Sequence, residues 1–236
     1  QTCALPISQK DSAIIISKIW PEAGQTLKNY RKALDNSLKA LGRDYVDLYL
    51  IHWPGNHFNS PEKSNLLTEH MLALKQSGKA STIGLSNFRA GDIKLLGNNI
   101  KEFSLNEVPY SLLDRSYEGE TLSLCKKTDM QYMAFSPTAQ GLLARPMKTE
   151  DLEMPTRKMH HLFQSTNYPK AKEVWETVRI IANELDCNPI EVAVAWVLKQ
   201  KNIFTAIVGS RKPEQVEEFA PAGDLKLSQD HLARLT

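Results

Sequence analysis

The residues best suited to chemistry are polar side chains at the carboxyl ends of apolar segments. Lys18 follows the run AIIIS, His52 follows VDLYLI, Ser86–Asn87 close the run STIGLSN, and Glu107 closes FSLNE. Lysine, histidine and glutamate side chains can move protons or orient a polar group. In folds with parallel strands, the carboxyl ends of the strands carry the active site. These residues are therefore candidates for a catalytic or ligand-binding site.

Each candidate also has an ordinary structural interpretation when it is taken alone. Lys18 would be a strand-end lysine that reaches solvent, and His52 a hydrogen-bonded histidine of the core. Ser86–Asn87 would form the N-cap of the following helix, a routine use of these residue types. Phe135 would be a core aromatic residue, and Arg211 a solvated loop arginine. Sequence spacing alone does not decide between these interpretations and a functional site.

The elements that must position these residues follow an alternating pattern of short apolar runs and longer amphipathic runs. Leu27, Leu34, Leu38 and Leu41 recur at helical spacing, and Gly42 follows where a helix commonly ends. The segment NPIE at 188–191 has the composition of a helix-capping box. Strands are predicted near 13–18, 46–51, 80–86, 104–108, 131–136 and 205–209. Helices are predicted over 27–41, 61–78, 93–96, 120–127, 170–185 and 189–200 and from 213 onward, with a polar lid at about 144–168.

This βα alternation predicts an α/β fold with a parallel sheet and helices outside it. An open, doubly wound sheet would usually carry a glycine-rich phosphate turn after its first strand. The sequence KIWPEAG after the first predicted strand contains no such turn. The alternative is a (β/α)8 barrel of the TIM type, which also explains the polar strand ends. Because the chain offers about six of the eight strands, the predicted barrel is incomplete.

The composition excludes several classes of function. The chain has 236 residues, 42% hydrophobic and 24% charged, which is enough for one large domain. Its formal charge of +2, from 29 basic and 27 acidic residues, gives no reason to expect nucleic acid as a partner. No apolar run is long enough to span a membrane. Three widely spaced cysteines indicate a reducing compartment, so a cytoplasmic location is expected. The pair His160–His161 lacks a third ligand at useful spacing, so no metal site is predicted.

Several motifs in order along the chain resemble the aldo-keto reductase family. They are ISKIW, DLYLIHWP, GLSNF, NEVPYSLL, AFSPTAQGLL and AIVGSRKPEQVEE. The resemblance covers about residues 11–236, and DLYLIHWP together with GLSNF is its most specific part. An unrelated barrel enzyme with accidental matches is the competing hypothesis, but six motifs in the family's order are hard to obtain by chance.

The resemblance implies NADP(H)-dependent reduction of a small carbonyl substrate to an alcohol. In the family, hydride passes from the nicotinamide to the carbonyl carbon, and a tyrosine hydroxyl donates a proton to the oxygen. A lysine paired with an aspartate lowers the pKa of that tyrosine, and a histidine orients the carbonyl. The physical basis is sound, because an alkoxide that forms in a dry pocket needs a donor aimed at it.

Carried onto this sequence, the resemblance implies two catalytic residues and three contacts to the nicotinamide carboxamide. Lys18 matches the lysine and His52 matches the histidine. Ser86 and Asn87 match the pair that hydrogen-bonds the carboxamide. Glu107 stands where the family usually has glutamine, and a carboxylate can accept but cannot donate a hydrogen bond unless it is protonated.

The remaining implied cofactor contacts follow the fifth and sixth predicted strands. Phe135 matches the aromatic residue that stacks on the nicotinamide. The loop expected along the pyrophosphate comprises Ser136, Thr138, Gln140 and Gly141. The segment expected at the adenosine phosphate comprises Ser210, Arg211, Gln215 and Glu218. Arg211 is the candidate for the 2′-phosphate, which would favour NADP over NAD. Phe219 replaces the family's usual asparagine at the adenine.

The resemblance also predicts that the chain is incomplete. The family's aspartate and tyrosine precede the lysine by a few tens of residues, and neither matches the 17 residues before Lys18. Residues 1–8 are predicted to be a non-native leader, because QTCALPI back-translates to a string that resembles a sequencing adapter. Residues 9–236 would then form a partial barrel domain.

Three expectations follow from this incompleteness. Lys18 is expected to lose the carboxylate that normally neutralises it, the family's aspartate, and the fragment is expected to be poorly soluble. Its carbonyl reduction is expected to be at least ~10³-fold below that of an intact relative. The alternative function is a regulatory module that binds a nicotinamide nucleotide without turnover. The substrate's identity and the oligomeric state are not predicted.

Overall fold

The computed structural model describes residues 13–20 and 26–235, so the predicted leader at 1–8 lies outside the described residues. The strands of the described part are β1 Ile16–Ile19, β2 Val46–Ile51, β3 Ala80–Ser86, β4 Leu105–Pro109, β5 Gln131–Phe135 and β6 Ile203–Ile207. Its helices are α1 Leu27–Leu41, α2 Pro61–Gln76, α3 Ala90–Lys94, α4 Glu120–Lys127, α5 Thr149–Leu152, α6 Pro155–Lys158, α7 Tyr168–Glu184, α8 Pro189–Leu198, α9 Pro213–Phe219 and α10 Gln229–Arg234. Short 3₁₀ turns occur at Gly55–Phe58, Gly97–Glu102, His161–Phe163 and Ala220–Gly223.

The strands hydrogen-bond in chain order from β1 to β6, and the registers of β1–β2, β2–β3, β3–β4 and β5–β6 are parallel. The predicted parallel α/β arrangement is confirmed, and β2 and β3 have the predicted bounds. The first strand was predicted too early, because pairing with β2 begins only where Ile16 lies opposite Leu48. Ile14, inside the predicted strand, is 73% exposed. The last strand begins two residues before the predicted one.

The chain divides into two compact units, and the first comprises residues 1–107 and 119–131. Its core is formed by β2 and β3, whose apolar side chains are buried, together with the inner faces of α1 and α2. The helix α1 ends as predicted at Gly42, which has φ 62° and donates its N–H to the carbonyl of Lys39. Thr26 caps the other end of α1 by accepting a hydrogen bond from the N–H of Asn29.

The second unit comprises residues 108–118 and 132–236. Its core contains α8, in which every residue from Val192 to Val197 is buried. Glu191 of the predicted capping box accepts hydrogen bonds from the backbone N–H and the side chain of Asn188, so the predicted start of α8 is confirmed. The polar segment at 144–168 forms α5, α6 and a 3₁₀ turn that buries Leu162.

No helix in the described ranges is both long enough and apolar enough to cross a bilayer. Within those same ranges, no three histidine, cysteine or carboxylate side chains converge in a way that could hold a metal ion.

Candidate active site

Five of the predicted site residues lie in the first unit and form one connected cluster. Lys18 is the third residue of β1 and lies opposite Leu50 of β2. His52 follows β2 directly, and its backbone N–H donates to the carbonyl of Ile19 at 3.0 Å. The parallel pairing therefore places the ends of β1 and β2 side by side, with Lys18 and His52 near the same edge.

The β3 and β4 side of the cluster is held by backbone and amide hydrogen bonds. Ser86 lies opposite Glu107 in the β3–β4 register. The N–H of Asn87 donates to the carbonyl of Glu107 at 2.8 Å, and its side-chain amide donates to Ser86 Oγ and to the carbonyl of His52, each at 3.0 Å. Asn87 thus joins the end of β2 to the ends of β3 and β4.

Asn87 adopts a left-handed backbone conformation with φ 64°, which asparagine tolerates better than most residues. The helix α3 starts three residues later at Ala90, and its N-cap is Arg89, whose N–H donates to Asp92. The interpretation of Ser86–Asn87 as the N-cap is therefore wrong. Ser86 is fully buried and Asn87 is 5% exposed, so both are polar groups of the interior.

The Lys18 ammonium pairs with Oε1 of Glu107. Lys18 therefore has a carboxylate partner other than the family's aspartate, and its interpretation as a strand-end lysine that reaches solvent is wrong. The side chain of Lys18 is 27% exposed, whereas that of Glu107 is 3% exposed. Glu107 Oε2 is buried and has no hydrogen-bond partner among the described residues.

Two tryptophans that were not among the predicted site residues lie beside His52. The ring of Trp20 meets the imidazole edge-on with centroids 4.7 Å apart, and the ring of Trp53 stacks at 6.3 Å. Both indoles are about half exposed, at 52% and 44%. The signal for them was present in the sequence, because Trp20 directly follows a strand in ISKIW and Trp53 lies two residues after a strand in LIHW.

Burial, followed by the positive charge of Lys18, holds the pKa of His52 below its ordinary value of 6.5. Both effects disfavour a second positive charge beside the ammonium. The imidazole is therefore neutral at physiological pH, and a neutral imidazole offers one N–H donor and one acceptor nitrogen.

The other predicted residues lie in the second unit. Phe135 ends β5, is half-buried, and accepts a hydrogen bond at its carbonyl from the N–H of Tyr110. The loop after it turns through left-handed conformations at Ser136 (φ 54°), Gln140 (φ 60°) and Gly141 (φ 91°). These turns fold the loop on itself, and the carbonyl of Thr138 accepts from the N–H groups of Gly141 and Leu143.

The loop at 136–141 is anchored by a residue that the sequence interpretation missed. Arg157 of α6 donates to the carbonyl of Gln140 at 3.0 Å and to the carbonyl of Asp151 at 3.1 Å, and it pairs with the Asp151 carboxylate. Arg145 binds the same carboxylate, and these charge-assisted bonds hold the pKa of Asp151 well below its ordinary value. The contact between Arg157 and Gln140 could not be predicted from sequence spacing, because it forms only when the chain is folded.

The segment after β6 is on the surface. Ser210, Arg211 and Glu218 are exposed. Gln215 is engaged as a helix cap, since its Oε1 accepts from the N–H groups of Arg211 and Lys212 at 2.7 and 3.2 Å. The structure thus orders the backbone of this segment and leaves the Arg211 side chain in an exposed position.

Comparisons with known proteins establish the family of the chain. The aldo/keto reductase family model matches residues 6–236, and the chain belongs to that family. It is 31% identical over 204 residues to the NADH-specific methylglyoxal reductase of Escherichia coli K12, covering 85% of this chain and 61% of that protein. It is 28% identical over 191 residues to the aldo-keto reductase YhdN of Bacillus subtilis, covering 79% of this chain and 56% of that protein.

Among solved structures, an aldo/keto reductase from Klebsiella pneumoniae in complex with NADP and acetate superposes with a TM-score of 0.75 at 27% identity. The superposition covers 97% of this chain and 70% of that one. The predicted barrel-type fold class is thereby confirmed, with six strands in the described part. The chain spans only about 60% of the length of the curated relatives that it matches.

Proposed function

We propose that the protein represented by this chain reduces the carbonyl group of small aldehydes or ketones to an alcohol, with NADPH as the hydride donor. The observation that carries this proposal is the single hydrogen-bonded cluster of Lys18, His52, Asn87 and Glu107 at adjacent strand ends. An ammonium and a neutral imidazole N–H are the donors that a carbonyl oxygen needs as negative charge develops on it.

The polar groups of this cluster fit a nicotinamide carboxamide. A carboxamide has N–H donors and one acceptor oxygen, and the buried Oε2 of Glu107 is an acceptor with no partner among the described residues. Ser86 and Asn87 would complete the contact with their hydroxyl and amide groups. When bound, the nucleotide supplies the hydride, and the residues of the chain orient the substrate and stabilise charge.

The roles of the chain's own residues follow from their charges. The Lys18 ammonium stabilises negative charge on the carbonyl oxygen and is held by Glu107. The neutral His52 imidazole orients the same oxygen with its N–H. Trp20 and Trp53 supply aromatic surface beside this position, which favours substrates with an apolar or planar group next to the carbonyl.

The proposed preference for NADP over NAD rests on Arg211, whose exposed guanidinium would bind a 2′-phosphate through two hydrogen bonds. The relatives differ on this point, since the Escherichia coli protein is named NADH-specific and the Klebsiella structure contains NADP. Replacing Arg211 with Met should therefore weaken NADPH binding at least about tenfold and leave NADH binding unchanged.

A second candidate function is binding of the nucleotide without turnover. It is favoured by the environment of two tyrosines of the first unit. Tyr30 and Tyr49 are buried, and burial raises the pKa of each hydroxyl well above its ordinary value of 10.0, which makes them poor proton donors. Within the described ranges, the group that contacts the Lys18 ammonium is a carboxylate and not a phenol.

Steady-state oxidation of NADPH and NADH with methylglyoxal and with an aromatic aldehyde distinguishes the two functions. Carbonyl-dependent oxidation that saturates with substrate supports the reductase. Saturable nucleotide binding, followed by quenching of tryptophan fluorescence, with no carbonyl-dependent oxidation supports the binding module. Absence of both would reject the proposed function.

A further inference from the structure

Glu107 is a buried carboxylate whose two oxygens have different environments. Oε1 contacts the Lys18 ammonium, whereas Oε2 is buried without a partner among the described residues. The residue is 2% exposed, so water does not compensate its charge from outside. An isolated buried carboxylate is costly, and an ammonium at hydrogen-bond distance is the group that offsets this cost.

The two members of the pair are held unequally. Glu107 lies within β4, opposite Ser86, and its carbonyl accepts the N–H of Asn87. Lys18 carries its ammonium at the end of a flexible four-carbon stem, and its side chain is 27% exposed. The position of the Glu107 carboxylate therefore determines the position of the Lys18 ammonium.

We propose that Glu107 is a positioning residue that fixes the Lys18 ammonium beside His52 and, through it, the carbonyl oxygen of the substrate. This inference rests on the proposed function and adds a role for a residue that the resemblance implies only as a carboxamide contact. A glutamine at 107 would have nearly the same shape, but it would carry no charge to hold the ammonium. The two roles therefore predict different consequences of Glu107→Gln.

A matched control exists elsewhere in the first unit. Lys94 and Glu120 also form an ammonium–carboxylate pair, but their side chains are 59% and 68% exposed and lie on α3 and α4. The variant Glu120→Gln removes the same charge from the same type of pair on the surface. Any effect of Glu107→Gln that Glu120→Gln does not reproduce belongs to the buried pair.

The first experiment tests the Lys18–Glu107 pair through the chemical reactivity of Lys18, so it does not depend on enzyme turnover. Lysines are methylated reductively with formaldehyde for a limited time, and peptide mass spectrometry gives the rate at each position. Loss of the carboxylate should raise the labelling rate of Lys18 about tenfold in Glu107→Gln, because an amine that is released from its ion pair with a buried carboxylate is more accessible to the reagent. Glu107→Asp, which keeps the charge, should label at a rate close to wild type. Glu120→Gln should leave Lys18 unchanged.

The second experiment measures the consequence for the reaction. Glu107→Gln should lower kcat roughly 10- to 100-fold, as expected for a misplaced catalytic group. It should change the NADPH dissociation constant much less than kcat, because the glutamine oxygen can still accept a hydrogen bond from the carboxamide. Glu107→Asp, which keeps the negative charge, should restore part of kcat.

Two results would overturn the inference. One is an unchanged Lys18 labelling rate in Glu107→Gln with native circular dichroism. The other is a kcat equal to wild type with an altered NADPH affinity, which would leave Glu107 as a carboxamide contact only. If wild type binds no nucleotide and oxidises none, the proposed function fails, while the labelling rates still decide whether Glu107 holds Lys18.

Discussion

At the scale of single residues, the site combines one charged pair with one neutral imidazole. Glu107 holds the Lys18 ammonium. Burial, together with the positive charge of Lys18, keeps His52 neutral. The ammonium can therefore stabilise negative charge while the imidazole donates a hydrogen bond, and neither residue has to change protonation state to bind a carbonyl group.

Replacement of His52 by Gln is expected to lower kcat about 100-fold, because the amide cannot hold the carbonyl oxygen in the same place. NADPH affinity should stay near wild type, since the side chain of Asn87 donates to the backbone carbonyl of residue 52, which the substitution keeps. Steady-state kinetics measures kcat, and fluorescence titration measures the NADPH affinity. The control is His161→Gln, which changes an exposed histidine and should leave both values unchanged. A kcat within threefold of wild type would contradict the role given to His52.

The pH dependence of stability is set partly by His70, which is 8% exposed and packs against Tyr30. Burial lowers the pKa of His70 below 6.5, so the unfolded chain binds more protons than the folded chain just below that pH. The free energy of unfolding should therefore fall as the pH drops below about 6.5. Urea titrations between pH 5 and pH 8 should show that the free energy of unfolding falls less with decreasing pH for His70→Gln than for wild type or His161→Gln. An equal slope in all three would contradict this account.

At the scale of elements, the glycine in the middle of β3 is a packing requirement. A Cβ on Gly84 would lie 2.7 Å from Leu50 Cδ2 and 2.9 Å from the backbone oxygen of Leu105. The leucine side chain can shift, but the carbonyl belongs to β4 and cannot move without disturbing the strand that carries Glu107.

Gly84→Ala should therefore lower the free energy of unfolding by about 1–3 kcal/mol. Gly91→Ala is the matched control, because a Cβ there meets nothing within 4 Å and the residue lies in α3. That variant should be as stable as wild type or up to about 1 kcal/mol more stable. Urea unfolding measures both values. Equal stability of the two variants would show that β4 yields to the added methyl group.

The sequence predicted the elements whose pattern is local. The period of α1, the apolar runs of β2 and β3, and the box at Asn188–Glu191 depend on neighbouring residues, and the structure confirms these elements. The start of β1 was missed because it is set by pairing with β2. The Lys18–Glu107 pair was missed because its members are 89 residues apart. One signal was available, since a charged residue inside each of the apolar runs IISKI and SLNEV requires a partner.

At the scale of the whole molecule, exposed apolar side chains on β6 are the most direct risk to solubility. Phe204 is 60% exposed and Ile207 is 38% exposed, and both lie on the last strand in the sheet order. An outer strand with unpaired backbone groups and apolar side chains favours association between molecules.

Phe204→Lys should therefore reduce concentration-dependent association, because a charged side chain on an outer strand opposes pairing with another chain. Leu66→Lys is the control, since Leu66 is 44% exposed but lies on α2. Sedimentation velocity at increasing protein concentration measures the change. If both variants associate to the same extent as wild type, association does not involve β6.

The central claim is that the described residues form a nicotinamide nucleotide site. Calorimetric titration of the wild-type chain with NADPH tests it most directly. The account predicts saturable binding of one nucleotide per chain, with a dissociation constant between about 1 μM and 1 mM, the range common for enzyme substrates. Heats equal to dilution at millimolar NADPH, from a chain with native circular dichroism, would contradict it.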